Sequence, residues 1–256
     1  MPVKKPYDKF AYVYDLMGAD EHSIKMSEYT FRLIRKFNIK TGRLLDLCCG
    51  TGTALKIFDE HGFEVAGLDG SAAMLAMAAK KLRRHQIPLV RRTLPRFTFP
   101  DRDRPRKNRK FGLVTCFYDS LNYLKNKTEL KTAFHSVNRH LEPGSWFIFD
   151  MNTPEALKNL WGSQVYAGAE KNLAWVFRND YRPEKPSAAC RVTLFVKNKS
   201  AWRRFDECHI EYGFENKDIK KLLRESGFIV KGFYSCFTFN PPTPKTTRIC
   251  AVARKK

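Results

Sequence analysis

Few folds accommodate the stretch Leu44-Leu-Asp-Leu-Cys-Cys-Gly-Thr-Gly-Thr53. Its apolar start suits a buried strand over 43–47, two glycines follow, and residues 54–60 carry helical spacing. A second apolar run, 63–68, ends on Asp69, after which Ser71 stands as an N-cap before an alanine-rich helical stretch over 72–84. Strand, turn, helix and strand make a βαβ unit, whose two strands lie parallel and are joined by a right-handed crossover. Strand-like runs at 89–92, 111–117 and 146–150, with a helix near 128–141, continue the alternation. The expected architecture is α/β, a doubly wound and mostly parallel sheet with helices on both faces.

After residue 152 the pattern changes. Residues 174–181, 189–198 and 202–212 alternate apolar and polar side chains with period two, as an antiparallel meander does. Helical spacing returns at 215–225, and the runs 228–237 and 248–253 close the sheet with an antiparallel final strand. The first residues read as helices over 7–16 and 22–37. One domain over 1–256 is therefore expected: a helical cover (1–40), a core (41–152), an antiparallel insertion after the fifth strand (162–214) and a C-terminal helix with closing strands (215–256).

The chemistry sits at the turn. Gly50 and Gly52 let backbone approach a ligand closely, and the helix that follows offers unpaired N–H groups. Asp69 lies 19 residues beyond Gly50, where the second strand of a nucleotide-binding unit ends and a carboxylate can accept both ribose hydroxyls. A dinucleotide site would place a third small residue at position 55, where this chain has Leu55. It would also have no need of Asp46 at the end of the first strand. An adenosylmethionine site does, because a carboxylate there can hold the methionine amino group.

Asp46-Leu-Cys-Cys-Gly-Thr-Gly52 resembles the first motif of class I methyltransferases, and Asp69-Gly-Ser-Ala-Ala-Met74 resembles their second. The likeness continues at Phe111-Gly-Leu-Val114, Asp119-Ser-Leu-Asn-Tyr-Leu124 and Leu141-Glu-Pro-Gly-Ser-Trp-Phe-Ile-Phe-Asp150, and again within 202–228. It implies a Rossmann-like fold and S-adenosyl-L-methionine as cofactor. It also implies roles: Asp46 for the methionine amino group; Cys48, Gly50, Thr51 and Gly52 for the turn around the ligand; Asp69 for the ribose. Gly70, Ser71 and Met74 would lie beside ribose and adenine, with Phe117 nearby. Where relatives carry an acid for the adenine amino group, this chain has Thr93-Leu94, which leaves that contact to the backbone. Tyr7, Phe10, Ala11 and Tyr14 resemble an N-terminal aromatic cover over the sulfonium; ordinary helix packing is the other reading of their spacing.

Catalytic candidates are less sharply marked. Tyr118 and Asp119 follow the fourth strand, at the carboxyl edge where ligands of such sheets bind, although Asp119 could simply cap a helix. Glu207 and His209 alternate on one strand and share a face, so His209 is a candidate base if that face meets the cofactor; a solvent-facing pair is the alternative. Direct in-line transfer needs no metal, and the seven cysteines show no zinc spacing, which suits reduced thiols in the cytoplasm. No run is long and apolar enough for a membrane span.

The balance of 47 Lys and Arg against 26 Asp and Glu gives a formal net charge of +21. Thirteen basic residues fall between Lys80 and Lys110, including the proline-broken loop over 100–110. That clustering leaves three readings of the acceptor: a small molecule methylated on nitrogen or oxygen, RNA held by the basic loop, or no acceptor in a non-catalytic adenosyl-binding module. The resemblance of 119–124 to small-molecule enzymes favours the first, and the chain lacks an Asn-Pro-Pro-Tyr or Asp-Pro-Pro-Tyr motif after the fourth strand. Calorimetry should show binding of S-adenosylmethionine and its demethylated product and no comparable binding of NAD. Tight NAD binding without adenosyl binding would overturn the reading of Asp46 and Leu55.

Overall fold

The computed structural model describes residue 7 and residues 9–100 and 110–256; most of the basic loop, residues 101–109, lies outside the described residues. Two 3₁₀ turns, Phe10–Tyr12 and Asp15–Met17, stand where a helix over 7–16 was expected. Phe10 and Ala11 turn into the protein and a left-handed Gly18 ends the second turn, so the segment is a strap and not an amphipathic rod. Helix α1 (Glu21–Phe37) leads into β1 (Arg43–Leu47), α2 (Thr53–Glu60), β2 (Glu64–Asp69), α3 (Ala72–Lys81), β3 (Leu89–Arg91) and β4 (Phe111–Cys116). Helix α4 (Lys127–His140) and strand β5 (Leu141–Asn152) follow, then a short helix α5 (Pro154–Ala156).

Four strands form the insertion: β6 (Val165–Glu170), β7 (Leu173–Arg182), β8 (Ser187–Asn198) and β9 (Ala201–Tyr212). They make a separate antiparallel sheet in the order β6-β7-β8-β9. The first of these has no counterpart in the expected pattern, because nearly all of Val165-Tyr-Ala-Gly-Ala-Glu170 is exposed and shows no alternation. Helix α6 (Asn216–Glu225) and strands β10 (Phe228–Ser235) and β11 (Arg248–Lys255) complete the chain.

The main sheet has seven strands in the order β10-β11-β5-β4-β1-β2-β3. Strand β11 runs antiparallel to both β10 and β5, while β1, β2, β3, β4 and β5 are parallel. Every residue of β4 is buried, as expected for a parallel strand covered on both faces. One face packs on α4 and α6 through Phe134, Phe147, Phe149 and Phe228, the other on α1, α2 and α3 through Met26, Leu33, Leu55 and Phe58. No helix among the described residues is long and apolar enough to cross a membrane.

Because β1 lies between β2 and β4, the sheet reverses its order of construction there, and the carboxyl ends of these strands diverge to leave a crevice. The tight seat of α2 beside that crevice explains Leu55. A Cβ placed on Gly67 would lie 2.5 Å from Leu55 Cδ1, 2.9 Å from Cys49 Sγ and 2.9 Å from Leu89 Cδ2. The small residue that lets helix and strand approach is therefore on β2, opposite a large residue on α2. Gly67→Ala should overpack this contact and lower stability by about 1–3 kcal/mol in urea unfolding. An unchanged midpoint would show that the helix can shift freely.

Candidate active site

A cavity of about 970 Å³ opens at the carboxyl edge of β1, β2 and β4. Of the positions expected to touch cofactor, Tyr14, Asp46, Cys48, Gly50, Thr51, Asp69, Gly70, Ser71, Met74, Thr93, Leu94 and Phe117 line it; Gly52 does not. Gly52 serves packing instead. Its φ is +81°, and a Cβ there would lie 2.8 Å from Leu82 Cδ1 and 3.2 Å from Ala78 Cβ, so glycine lets α2 start against α3. Gly50, at φ +55°, has open space where a Cβ would be, so only its backbone conformation favours glycine.

Asp69 organises the turn. Its two carboxylate oxygens accept the N–H of Gly50 at 2.9 Å and that of Ser71 at 2.7 Å. The Ser71 hydroxyl in turn accepts the Met74 N–H at 3.1 Å, capping α3. Burial pushes the Asp69 carboxyl up, and the N–H groups of Ser71, Gly50 and Gly70 oppose that rise. Each oxygen keeps lone-pair capacity toward the cavity, as a carboxylate offers about four acceptor sites.

Asp46 is poorer in partners. Thr115 Oγ1 donates to it at 2.7 Å, and burial pushes its carboxyl up to about 7. An ammonium group delivered to it would supply the missing opposite charge.

The N-terminal strap closes one side. Lys81 Nζ binds Asp15 Oδ2 at 2.8 Å and Thr53 Oγ1 at 2.5 Å, while Thr51 Oγ1 donates to Asp15 Oδ1 at 2.7 Å. These bonds fasten the strap to the glycine turn. At its other end, buried Glu207 on β9 accepts the N–H of Tyr7 at 2.7 Å, of Lys9 at 2.6 Å and of Phe10 at 3.0 Å. Phe10 packs with Val13, Leu173, Val192 and Leu194 against the insertion sheet, whereas Tyr7 and Tyr14 face the cavity.

Tyr118 and Tyr123 also line the cavity, the Tyr123 hydroxyl 2.9 Å from that of Tyr7 on the strap. Asp119 and His209 do not. Asp119 takes Arg248 Nη2 at 3.1 Å and Asn152 Nδ2 at 2.6 Å, and His209 stands behind Tyr123, its Nδ1 2.8 Å from that hydroxyl. The alternative of a solvent-facing Glu207–His209 pair is overturned: the two are 2% and 4% exposed.

A buried polar cluster lies behind Tyr118 that sequence reading missed in part. Asp150 accepts Tyr118 N–H at 2.7 Å and also binds Arg248 and His22. Burial pushes Asp150 up, yet Arg248 and His22 more than offset this and leave it below the ordinary aspartate value. Glu211, bonded by Asn152 Nδ2 at 2.8 Å, is instead pushed far up by burial and by the neighbouring Asp119. Burial likewise raises Tyr118 to about 12. Arg248 and His22 reach Asp150 across 98 and 128 residues of chain, from β11 and α1. Only the pairing of β11 with β5, Arg248 opposite Asn152, brings the arginine there.

The Asp46 value carries a pH dependence with a defined sign. Its ionised form is the one that holds an ammonium group, and it fills as the pH rises through about 7. Affinity for S-adenosylhomocysteine should therefore be about tenfold weaker at pH 6 than at pH 8, and Asp46→Asn should bind weakly with a flat profile. Calorimetry across that range decides it; a flat wild-type profile would remove Asp46 from the ligand's contacts.

Known proteins resemble this chain in sequence and fold. The family model described as a methyltransferase domain matches residues 23–230. The Bacillus subtilis protein YqeM is 28% identical over 250 residues, covering 97% of each chain. A dTDP-3-amino-3,4,6-trideoxy-alpha-D-glucopyranose N,N-dimethyltransferase of Streptomyces venezuelae is 33% identical over 231 residues, 86% of this chain and 90% of its own. The crystal structure of an S-adenosylmethionine-dependent methyltransferase from Clostridium acetobutylicum superposes with a TM-score of 0.83 at 27% identity, covering 96% of this chain and 98% of that one. By its family match, its relatives and its fold, this chain belongs to the methyltransferases.

Proposed function

We propose that this methyltransferase takes its methyl group from S-adenosylmethionine and delivers it to the amine of a small molecule. The observation that carries the acceptor class is the wall of the cavity. Tyr7, Tyr14, Tyr118 and Tyr123 line it. Behind them lie the buried carboxyls of Asp119, Asp150, Glu207 and Glu211, with half-buried Arg248 and the His22 imidazole beside Asp150. In a chain of net charge +21 this interior has the opposite sign, which suits a cationic amine better than a neutral hydroxyl. A cavity of about 970 Å³ also has room for a nucleoside cofactor beside a small acceptor. The Streptomyces venezuelae relative, named for dimethylation of a nucleotide-linked amino sugar, supports the same class.

The residues at hand fit the cofactor. Asp69 keeps acceptor capacity for ribose hydroxyls, Asp46 has no cationic partner among the described residues, and a Cβ on Gly70 would crowd Thr93 at 2.7 Å beside the cavity. When bound, the cofactor supplies a sulfonium methyl open to in-line displacement. The protein's work is then to hold the nucleophile in line and to exclude water. The strap performs the exclusion, and the tyrosine wall takes the acceptor.

RNA remains the second reading because exposed Arg91, Arg92 and Lys125 line the same cavity. Methyl-labelled cofactor should be offered to a panel of amines with a small-molecule cell extract, and separately to total RNA. Label is expected in the amine fraction, with turnover kept when Arg102, Arg104, Arg106, Lys107, Arg109 and Lys110 are neutralised together. Label in RNA that this variant loses, with cofactor affinity unchanged, would replace the amine by RNA.

A further inference from the structure

Behind the tyrosine wall runs a short chain of hydrogen bonds that methyl transfer alone does not call for. Tyr7 and Tyr123 line the cavity, with their hydroxyls 2.9 Å apart. Tyr123 Oη stands 2.8 Å from His209 Nδ1. His209 is 4% exposed, so it meets the cavity only through these phenols. Its other nitrogen, Nε2, is buried with no hydrogen-bond partner among the described residues, 3.5 Å from Glu207 Oε2. At that separation the two groups feel each other's charge without a proper hydrogen bond.

Glu207 is anionic. Burial pushes its carboxyl up, but His209 and the N–H groups of Phe10 and Lys9 more than offset this and hold it below the ordinary glutamate value. The rings of Tyr7, Phe10 and Tyr123 enclose the imidazole at 4.8, 6.0 and 6.1 Å between centroids. Glu211 follows two residues along β9. A histidine kept only for packing would be expected to satisfy both nitrogens. One bonded to a cavity phenol on one side, with its other nitrogen 3.5 Å from a carboxylate, is placed to relay a proton.

We propose that Tyr123 takes the proton an acceptor ammonium must lose before it can attack, and that His209 is the positioning residue that receives Tyr123's own proton. This rests on the amine reading above. The acceptor's N–H proton passes to Tyr123 Oη as the phenol's proton passes to Nδ1, so Tyr123 ends neutral and the positive charge moves to His209, beside Glu207. The freed nitrogen lone pair then forms the N–CH3 bond while the sulfur–methyl bond breaks and its electron pair stays on sulfur. The methylated ammonium leaves, and the imidazolium gives its proton back to Tyr123 Oη as the phenol releases its own to water entering the emptied cavity. Tyr7, bonded to the Tyr123 oxygen, steadies that oxygen as it exchanges protons.

The arrangement requires Nδ1 to accept from Tyr123, which makes His209 the Nε2–H tautomer. Nitrogen NMR of histidine-labelled full-length protein, saturated with S-adenosylhomocysteine at about pH 8, reads this directly. The expected spectrum shows an unprotonated Nδ1 in wild type, perturbed in Tyr123→Phe. A protonated Nδ1 would overturn the proposal, because Tyr123 would then have no site for its proton. With the amine fraction that takes label, His209→Gln should lower kcat about 100-fold at pH 7, with the KM for S-adenosylmethionine unmoved. The loss should shrink toward pH 9.5 or so, where amines arrive already neutral. A loss equal at every pH would make His209 merely structural, whereas absence of any labelled amine would count against the acceptor reading and leave the tautomer test standing.

Discussion

A carboxylate buried at the end of a parallel strand needs partners, and at Asp69 two of them are backbone N–H groups from the turn after β1 and the start of α3. That requirement shapes much of the site. To donate, Gly50 must hold a left-handed conformation at φ +55°, and Ser71 must sit as the cap of α3. The crevice between β1 and β2 is thereby framed by a carboxyl group that lines the cavity. The same bonds that stabilise the loop leave it ready for hydroxyl donors. Stability and recognition share one group here, so no second carboxylate has to be desolvated to receive the hydroxyls.

Glu207 solves the mirror problem at the far end of the cavity. Three consecutive-region N–H groups of the N-terminal strap converge on it, in place of the helical bonds that segment does not form. Loss of this one carboxylate would leave one buried and two part-buried donors without their acceptor, a larger penalty than a surface ion pair could offset. The strap is thus clamped at both ends, by Glu207 on the insertion sheet and by Lys81, Thr51 and Thr53 near the glycine turn. The insertion has a purpose in this light: it carries the anchor that holds Tyr7 over the cavity.

The legible parts of the fold were those with local causes. Period and turn chemistry located β1, β2, β4, α3 and α4, and the cap at Ser71, because each depends on residues within a few positions. Several residues that line the cavity, Asp46 and Asp69 among them, were legible for the same reason: they occupy strand ends whose direction follows from a βαβ unit. What escaped depends on distant chain. The cluster of Asp150, Arg248 and His22 forms across sequence gaps of 98 and 128 residues, and no local signal marks an arginine as the partner of an aspartate so far away. Strand β6 hides because neither face is well covered, and the strap because its order comes from Glu207 and not from its own spacing. Gly67 was equally silent until the depth of Leu55 against β2 could be seen.

The electrostatics of the interior bear on why so many ionisable groups are tolerated there. Asp150 recovers its desolvation through Arg248 and His22, and Glu207 through backbone N–H groups, so both remain charged in place. Asp46 and Glu211 lack equal compensation, and burial pushes both upward. A fold selected for stability alone would replace such carboxyls with apolar groups of similar size, since undercompensated charge destabilises the native state. The two uncompensated acids flank the two ends of the proposed transfer: Asp46 at the methionine end, Glu211 behind the tyrosine wall. Each would gain from an incoming cation what the protein itself does not provide. The strain is therefore directional, stored where a positively charged ligand relieves it, while the surface keeps the opposite sign and leaves the choice of cation to the cavity.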